Sequence, residues 1–277
     1  MRIFLLGDSF TDNIFNEAIY NLDNNIESGD GIYRYVKLLR EKKIKDPLHW
    51  SDYLKSWGHE VVNLGQNGVS NYSILDQFVN ISTNFNENDR IILNWTGLNR
   101  FNWIGKKGNN IIITGGSQPD YETNIKTKIL CDQSVYRMES ADNPHGYLRR
   151  STVPFMNYFI GLHDKYKPIV WAPIARHNVI FEKEKYFIWE VDNDFYKNII
   201  PEHNILTIQN ETNGKILDEH YGRYGNFYMA LVFDTILKHT ENVKHNGLYV
   251  KDFHLMDKIK ETIKNSKHNL DKLNKLI

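Results

Sequence analysis

Short apolar runs alternate with amphipathic stretches along most of the chain. Arg2–Leu6 ends in four consecutive apolar residues and runs into Gly7, the pattern of a buried strand. His49–Trp57 reads as a helix stopped by Gly58, and Glu60–Leu64 as a second strand ending in a turn from Gly65 to Gly68. Asn71–Val79 is a helix with Ile74, Phe78 and Val79 on one side, and Arg90–Asn94 is a third strand. Further on, Pro154–Tyr166 reads as a helix, Pro168–Pro173 as a fourth strand and Tyr186–Ile200 as a helix. Ile205–Ile208 then reads as a fifth strand and Gly225–Lys238 as a strongly apolar helix. Strands that alternate with helices predict an α/β fold, a parallel sheet covered by helices on both faces.

Two long polar segments interrupt the alternation, Asn13 to Asp46 and Phe101 to Val153, with Asn110–Thr114 as a candidate extra strand. Segments of this length are usually functional or carry small elements of their own, and these two read as walls or lids over a cleft, or as insertions packed on the surface. From Leu255 onward, Ile259, Ile263, Ser266, Leu270, Leu273 and Ile277 recur at heptad-like spacing among Lys, Asn and Asp. This predicts an amphipathic helix, docked on the domain or forming a seam for a homo-oligomer. The expected organisation is one domain over 1–250, with insertions at about 13–46 and 101–153, followed by a C-terminal helix over 251–277.

Composition narrows the classes of partner. With 277 residues and 41% hydrophobic, the chain can bury a core without disulfides or metals, and its single cysteine, Cys131, forbids an internal disulfide. Lys plus Arg and Asp plus Glu each total 34, so no broad basic field is available for nucleic acid. Only Ile3–Leu6 is continuously apolar before Asp8, too short for a signal peptide, and no run is long enough for a membrane span. The default expectation is a cytoplasmic protein with no membrane partner, unless a leader was removed from a longer precursor.

In an open α/β sheet, reactive groups collect past the carboxyl ends of the strands. Ser9, Gly68, Asn99 and His220 each follow a predicted strand, so the pattern brings them to one edge. Ser9 sits in Gly7-Asp8-Ser9-Phe10-Thr11-Asp12, where the backbone must turn sharply. A serine hydroxyl needs a base to become a nucleophile, and histidine is the usual one near neutral pH. In Asp218-Glu219-His220 an aspartate two residues earlier can orient the ring, an arrangement that His145, His177 and His254 lack. Gly68 can offer a backbone N–H and Asn99 a side-chain amide to a developing oxyanion. Taken singly, these residues also fit a helix cap, a turn glycine and a turn asparagine.

Together and in this order, they resemble the SGNH or GDSL hydrolase family. Gly7-Asp8-Ser9-Phe10-Thr11-Asp12 resembles its first block, and Asn63-Leu64-Gly65-Gln66-Asn67-Gly68-Val69-Ser70 its second. Gly97-Leu98-Asn99 resembles the third block, and Asp218-Glu219-His220 followed by Gly225 the fifth. The resemblance implies a flavodoxin-like three-layer α/β/α fold with strand order 2-1-3-4-5. It implies Ser9 as nucleophile, His220 as base and Asp218 as its orienting acid. The Ser9 and Gly68 N–H groups and the Asn99 amide would form the oxyanion hole. Two positions depart from the family pattern. Arg100 stands where an Asp often follows the third-block Asn, and Asp218 lies two rather than three residues before the His.

The implied chemistry is hydrolysis of an O-acetyl or other short acyl ester, with no metal and no cofactor. Tyr72, Trp95, Phe101 and Trp103 place aromatic rings near the second and third blocks, which suits a sugar ring, although such rings also serve as core. Arg100 and Arg176 are candidates to hold an acidic substrate group. An acyltransferase with the same residues, and a binding protein that kept the fold, are the alternatives.

Overall fold

The computed structural model of the chain describes residues 2–69, 71–94, 100–104, 110–114, 169–172, 188–190, 206–241, 255 and 257–266. Its centre is β1 (Arg2–Leu6), whose Ile3, Leu5 and Leu6 are fully buried. β1 pairs in parallel with β2 (Glu60–Asn63) on one side and with β3 (Arg90–Asn94) on the other. β6 (Ile169–Ala172) pairs with β3, and β7 (Ile188–Glu190) with β6, both in parallel. The chain is therefore α/β, built on a parallel sheet. A separate antiparallel pair joins β4 (Arg100–Ile104) to β5 (Asn110–Thr114), which gives the candidate extra strand a partner inside the second long segment.

Side chains alternate across the strands, and the two sets feed different cores. Ile3, Leu5 and Ile92 pack with helices α3 (Trp50–Ser56) and α6 (Arg223–Glu241). Phe4, Leu6, Ile91 and Leu93 pack on the opposite face with Ile74, Phe78 and Ile81 of helix α4 (Asn71–Ser82). Both faces of β1 and β3 are thus covered, which is why these strands read as unbroken apolar runs. Val79, expected beside Ile74 and Phe78, is instead 51% exposed. One residue beyond Phe78 is a step of about 100° around the helix, enough to leave the packed side.

The long segment 13–46 carries small elements of its own, α1 (Ile14–Asp23) and α2 (Gly31–Glu41), and two other expectations are corrected. In α2, Ile32, Tyr35, Val36 and Leu39 are buried at helical spacing, and the carboxylate of Asp30 caps the first turn by accepting from the N–H groups of Ile32 and Tyr33. The helix pair makes a third core with Ile208 and Ile216, which precede the loop that carries His220. Ile205–Ile208 is not a sheet strand in its described part. Leu206 and Ile208 are both buried, but in different cores, and Thr207 caps the short helix α5 (Ile208–Glu211). Finally, Ile188–Glu190 is a strand inside a segment read as helical, a case of pairing overriding length and periodicity. The expected helix Pro154–Tyr166 and Cys131 lie outside the described residues, as do Leu270, Leu273 and Ile277.

The C-terminal helical residues 257–266 turn Ile259 and Ile263 into the same core as α6, together with Leu255. A docked helix of this kind makes Ile259 part of the cooperative fold. Ile259→Ala is expected to cost about 2–5 kcal/mol, read from the urea midpoint. No change in midpoint would mean that the helix is not docked.

Candidate active site

The backbone turns immediately after β1. The Asp8 carbonyl accepts from the N–H groups of Thr11 and Asp12, both at 2.9 Å, and closes a single tight turn with Ser9 near its start. Gly7 makes the turn possible: a Cβ there would stand 2.3 Å from Thr11 Oγ1 and 2.6 Å from Asn94 Cβ. Buried Gln77, on α4, holds the same residue from the side. Its Oε1 accepts from the Gly7 N–H at 2.9 Å, and its Nε2 donates to the Gly7 carbonyl at 3.3 Å. Fully buried Asp8 accepts from Asn94 Nδ2 at 2.6 Å and from the Phe10 N–H at 3.1 Å through one carboxylate oxygen.

His220 reaches this turn from a loop 211 residues away, and its Nε2 lies 2.9 Å from Ser9 Oγ. Its Nδ1 lies 2.7 Å from Asp218 Oδ1. A carboxylate only accepts, so Nδ1 carries the proton and Nε2 is left to receive the serine proton. The backbone N–H of His220 donates to the same Oδ1 at 2.9 Å. The two-residue spacing therefore works as an Asx turn that orients backbone and ring together. Glu219 between them is exposed. The loop is pinned against α5, where Ile208 N–H donates to the His220 carbonyl and Gln209 N–H to the Asp218 carbonyl. Burial pushes the Asp218 carboxyl up, but the His220 hydrogen bonds and the charges of His220 and Arg34 outweigh it and hold the group below its ordinary range. Ser9 is 4% exposed, while the His220 side chain keeps 25%, so the pair is reached from the histidine side.

Phe10 joins the two halves. Its ring lies 4.8 Å from the His220 ring and 5.4 Å from that of Tyr221, centroid to centroid. Its carbonyl accepts from Trp50 Nε1 at 2.8 Å and faces His49 Nε2 at 3.3 Å. His49 Nδ1 accepts from the Ser51 N–H as the N-cap of α3 and from Ser51 Oγ at 2.8 Å, so the ring proton sits on Nε2. This is a second Ser–His pair, but both residues are buried, 3% and 0% exposed, and serve the fold. Gln77, Asn94, His49 and Trp50 were not singled out from sequence. The one available signal was a polar residue at an apolar helical position, as with Gln77 between Ile74 and Phe78.

The β2 loop lies against the Ser9 turn. A Cβ on Gly65 would meet Asp12 N at 2.5 Å, and the Asn67 N–H donates to Asp12 Oδ2 at 3.1 Å. Burial raises the Asp12 carboxyl, with the N–H groups of Asn67 and Asn13 acting against it. Gly68 follows in the same turn with φ of 77°. Asn99, Trp95 and Arg176 lie outside the described residues. The backbone puts Tyr72 in the first turn of α4, Arg100 at the start of β4, and Phe101 and Trp103 within β4. Their side chains also lie outside the described residues.

Two open hollows lie toward the amino ends of the strands, away from Ser9, one lined by Arg2, Glu60 and Asp89 and the other by Arg2, Val62 and Phe85. Among the described residues, no cluster of three or more His, Cys, Asp or Glu could hold a metal, and no helix is long and apolar enough to cross a membrane. Comparison with family models, curated proteins and solved structures finds no match to the chain.

Burial lowers the His49 imidazole to about 4 from its ordinary 6.5, against the raising effect of the Phe10 carbonyl. The unfolded ring takes a proton below about 6.5 and the folded ring only below about 4, so stability falls as pH drops through that window. The loss is on the order of 3 kcal/mol by pH 4. His49→Asn keeps a capping side chain but cannot titrate. It is expected to lose less stability than the parent between pH 6.5 and pH 4 in urea titrations. An equal loss in both proteins would contradict the assignment.

Proposed function

We propose that the protein is a serine-dependent ester hydrolase of the SGNH type, acting on O-acetyl or other short acyl esters. The observation that carries this reading is the relay Ser9 Oγ, His220 Nε2, His220 Nδ1, Asp218 Oδ1, with steps of 2.9 and 2.7 Å across the ring. A flavodoxin-like arrangement of the sheet belongs to the same reading, supported by parallel β2, β1 and β3 with Ser9 at the carboxyl end of β1.

In the first half-reaction, Ser9 Oγ attacks the ester carbonyl carbon while His220 Nε2 takes the hydroxyl proton. Asp218 holds the ring in the required tautomer and stabilises the imidazolium. The carbonyl oxygen becomes an oxyanion, for which the Ser9 and Gly68 N–H groups and the Asn99 amide are the proposed donors. Collapse of the intermediate breaks the bond to the alcohol, and His220 returns its proton to the leaving oxygen. Water, deprotonated by the same nitrogen, then attacks the acyl carbon; the bond to Ser9 Oγ breaks, His220 returns the proton to Oγ, and the acid leaves. The aromatic residues of α4 and β4, with Trp95, favour a carbohydrate as the alcohol. Tyr72, Trp95 and Arg100 are the proposed substrate contacts.

The purified chain is expected to release p-nitrophenol from p-nitrophenyl acetate. Ser9→Ala should lower kcat/KM by about 1000-fold or more. Asp218→Asn should lower kcat by roughly 100- to 10,000-fold, because its amide no longer selects the tautomer. Equal rates for the parent and Ser9→Ala would remove the basis for the reading.

A further inference from the structure

Ser9 and His220 stand on segments that meet only in three dimensions, so something must hold the two segments in register. Their direct contacts include the 2.9 Å hydrogen bond and the Phe10 ring against His220 and Tyr221. A second connection runs beneath them through Asn226, in the first turn of α6 and 2% exposed. Its Nδ2 donates to the Tyr221 carbonyl at 2.8 Å and to the Gly222 carbonyl at 2.9 Å, the two residues after His220. Its Oδ1 accepts from the Trp50 N–H at 3.0 Å. Trp50 is fully buried, packs its ring at a tilt against Phe233 of α6 with centroids 4.7 Å apart, and donates its indole N–H to the carbonyl of Phe10, the residue after Ser9.

The amide orientation follows from its partners. Reversing it would set two carbonyls against an oxygen and an N–H against an NH₂ group. Only a carboxamide offers two donors on one side and an acceptor on the other at this length. Buried polar groups are costly to strip of a partner, and removing the amide takes a hydrogen bond from three backbone groups at once, the Gly222 carbonyl keeping its bond from the Asn226 backbone N–H.

We propose that Asn226 is a positioning residue that, through Trp50, couples the Ser9 turn to the His220 loop and holds the nucleophile and its base at reacting distance. The proposal rests on the reading of Ser9 as nucleophile and His220 as base. Asn226 touches neither reacting atom, and its effect passes through the backbone of both segments.

The test uses the full chain with Asn226→Leu and Asn226→Asp, followed by amide hydrogen exchange and steady-state kinetics on p-nitrophenyl acetate. In Asn226→Leu, exchange should accelerate by about tenfold or more both in residues 8–12 and in residues 218–222. Its kcat should fall by roughly 10- to 100-fold with KM within about twofold, as expected when reacting groups are misplaced by an ångström or less. Asn226→Asp keeps the acceptor for Trp50, but its carboxylate faces two carbonyls. A protonated carboxyl regains one donor, so the activity of this variant relative to the parent should rise as pH is lowered. A loss of stability alone would make that ratio fall.

Should Asn226→Leu fail to fold, the pH dependence of Asn226→Asp decides. Faster exchange confined to 218–222, or a folded Asn226→Leu with unchanged kcat, would overturn the proposal. If the parent has no esterase activity but its two segments still loosen together in Asn226→Leu, the coupling stands and the esterase reading fails.

Discussion

The hydrogen bond between Ser9 Oγ and His220 Nε2 exists only if two short segments, 211 residues apart, are held still to a fraction of an ångström. Much of the described structure serves that constraint. The parallel sheet sends Ser9 out at the carboxyl end of β1, where a glycine permits the turn. Gln77 and Asn94, one on a helix and one at the end of a neighbouring strand, fix the turn from beneath. The His220 loop is pinned to α5 by backbone bonds and to α6 by Asn226.

The α1–α2 pair belongs to the same construction. Tyr35 of α2 donates its hydroxyl to Glu211 at 2.7 Å, and Glu211 accepts from the N–H and Nε of Arg223 at 3.0 Å each. This partly buried cluster closes both ends of the loop that carries Asp218 and His220. Gly31, the first residue of α2, lies so near Asp218 that a Cβ there would stand 2.5 Å from Oδ2. A segment that looked like a wall or lid is thus a buttress behind the acid of the relay. A buried hydrogen bond adds only about 1 kcal/mol net, whereas a buried polar group stripped of its partner costs roughly 1–3 kcal/mol. Networks of this sort therefore specify a geometry more than they add stability.

What could be read from sequence follows from this division of labour. β1 and β3 were legible to the residue, because strands covered on both faces leave unbroken apolar runs. Ser9, Asp218 and His220 were legible as a set because residue type and local spacing mark them, and the structure brings the three side chains within hydrogen-bonding distance. The α1–α2 pair was missed although α2 carries a helical period in Ile32, Tyr35, Val36 and Leu39, since polar neighbours masked it. β7 was missed because Ile188–Glu190 is too short to show alternation, and its pairing with β6 is a tertiary fact. Gln77, Asn94, His49, Trp50 and Asn226 were illegible for a different reason. Each is a single polar or aromatic residue with one partner tens of residues away or more, whatever nearer ones it has, and no periodicity encodes such a pair.

The most direct test of the account is whether Ser9 is activated, and by His220. Treated with a fluorophosphonate, the parent protein is predicted to gain one adduct, mapped to Ser9 by peptide mass spectrometry, and the well-folded His220→Ala variant none. A folded parent left unlabelled at Ser9, or equal labelling of the two proteins, would contradict it.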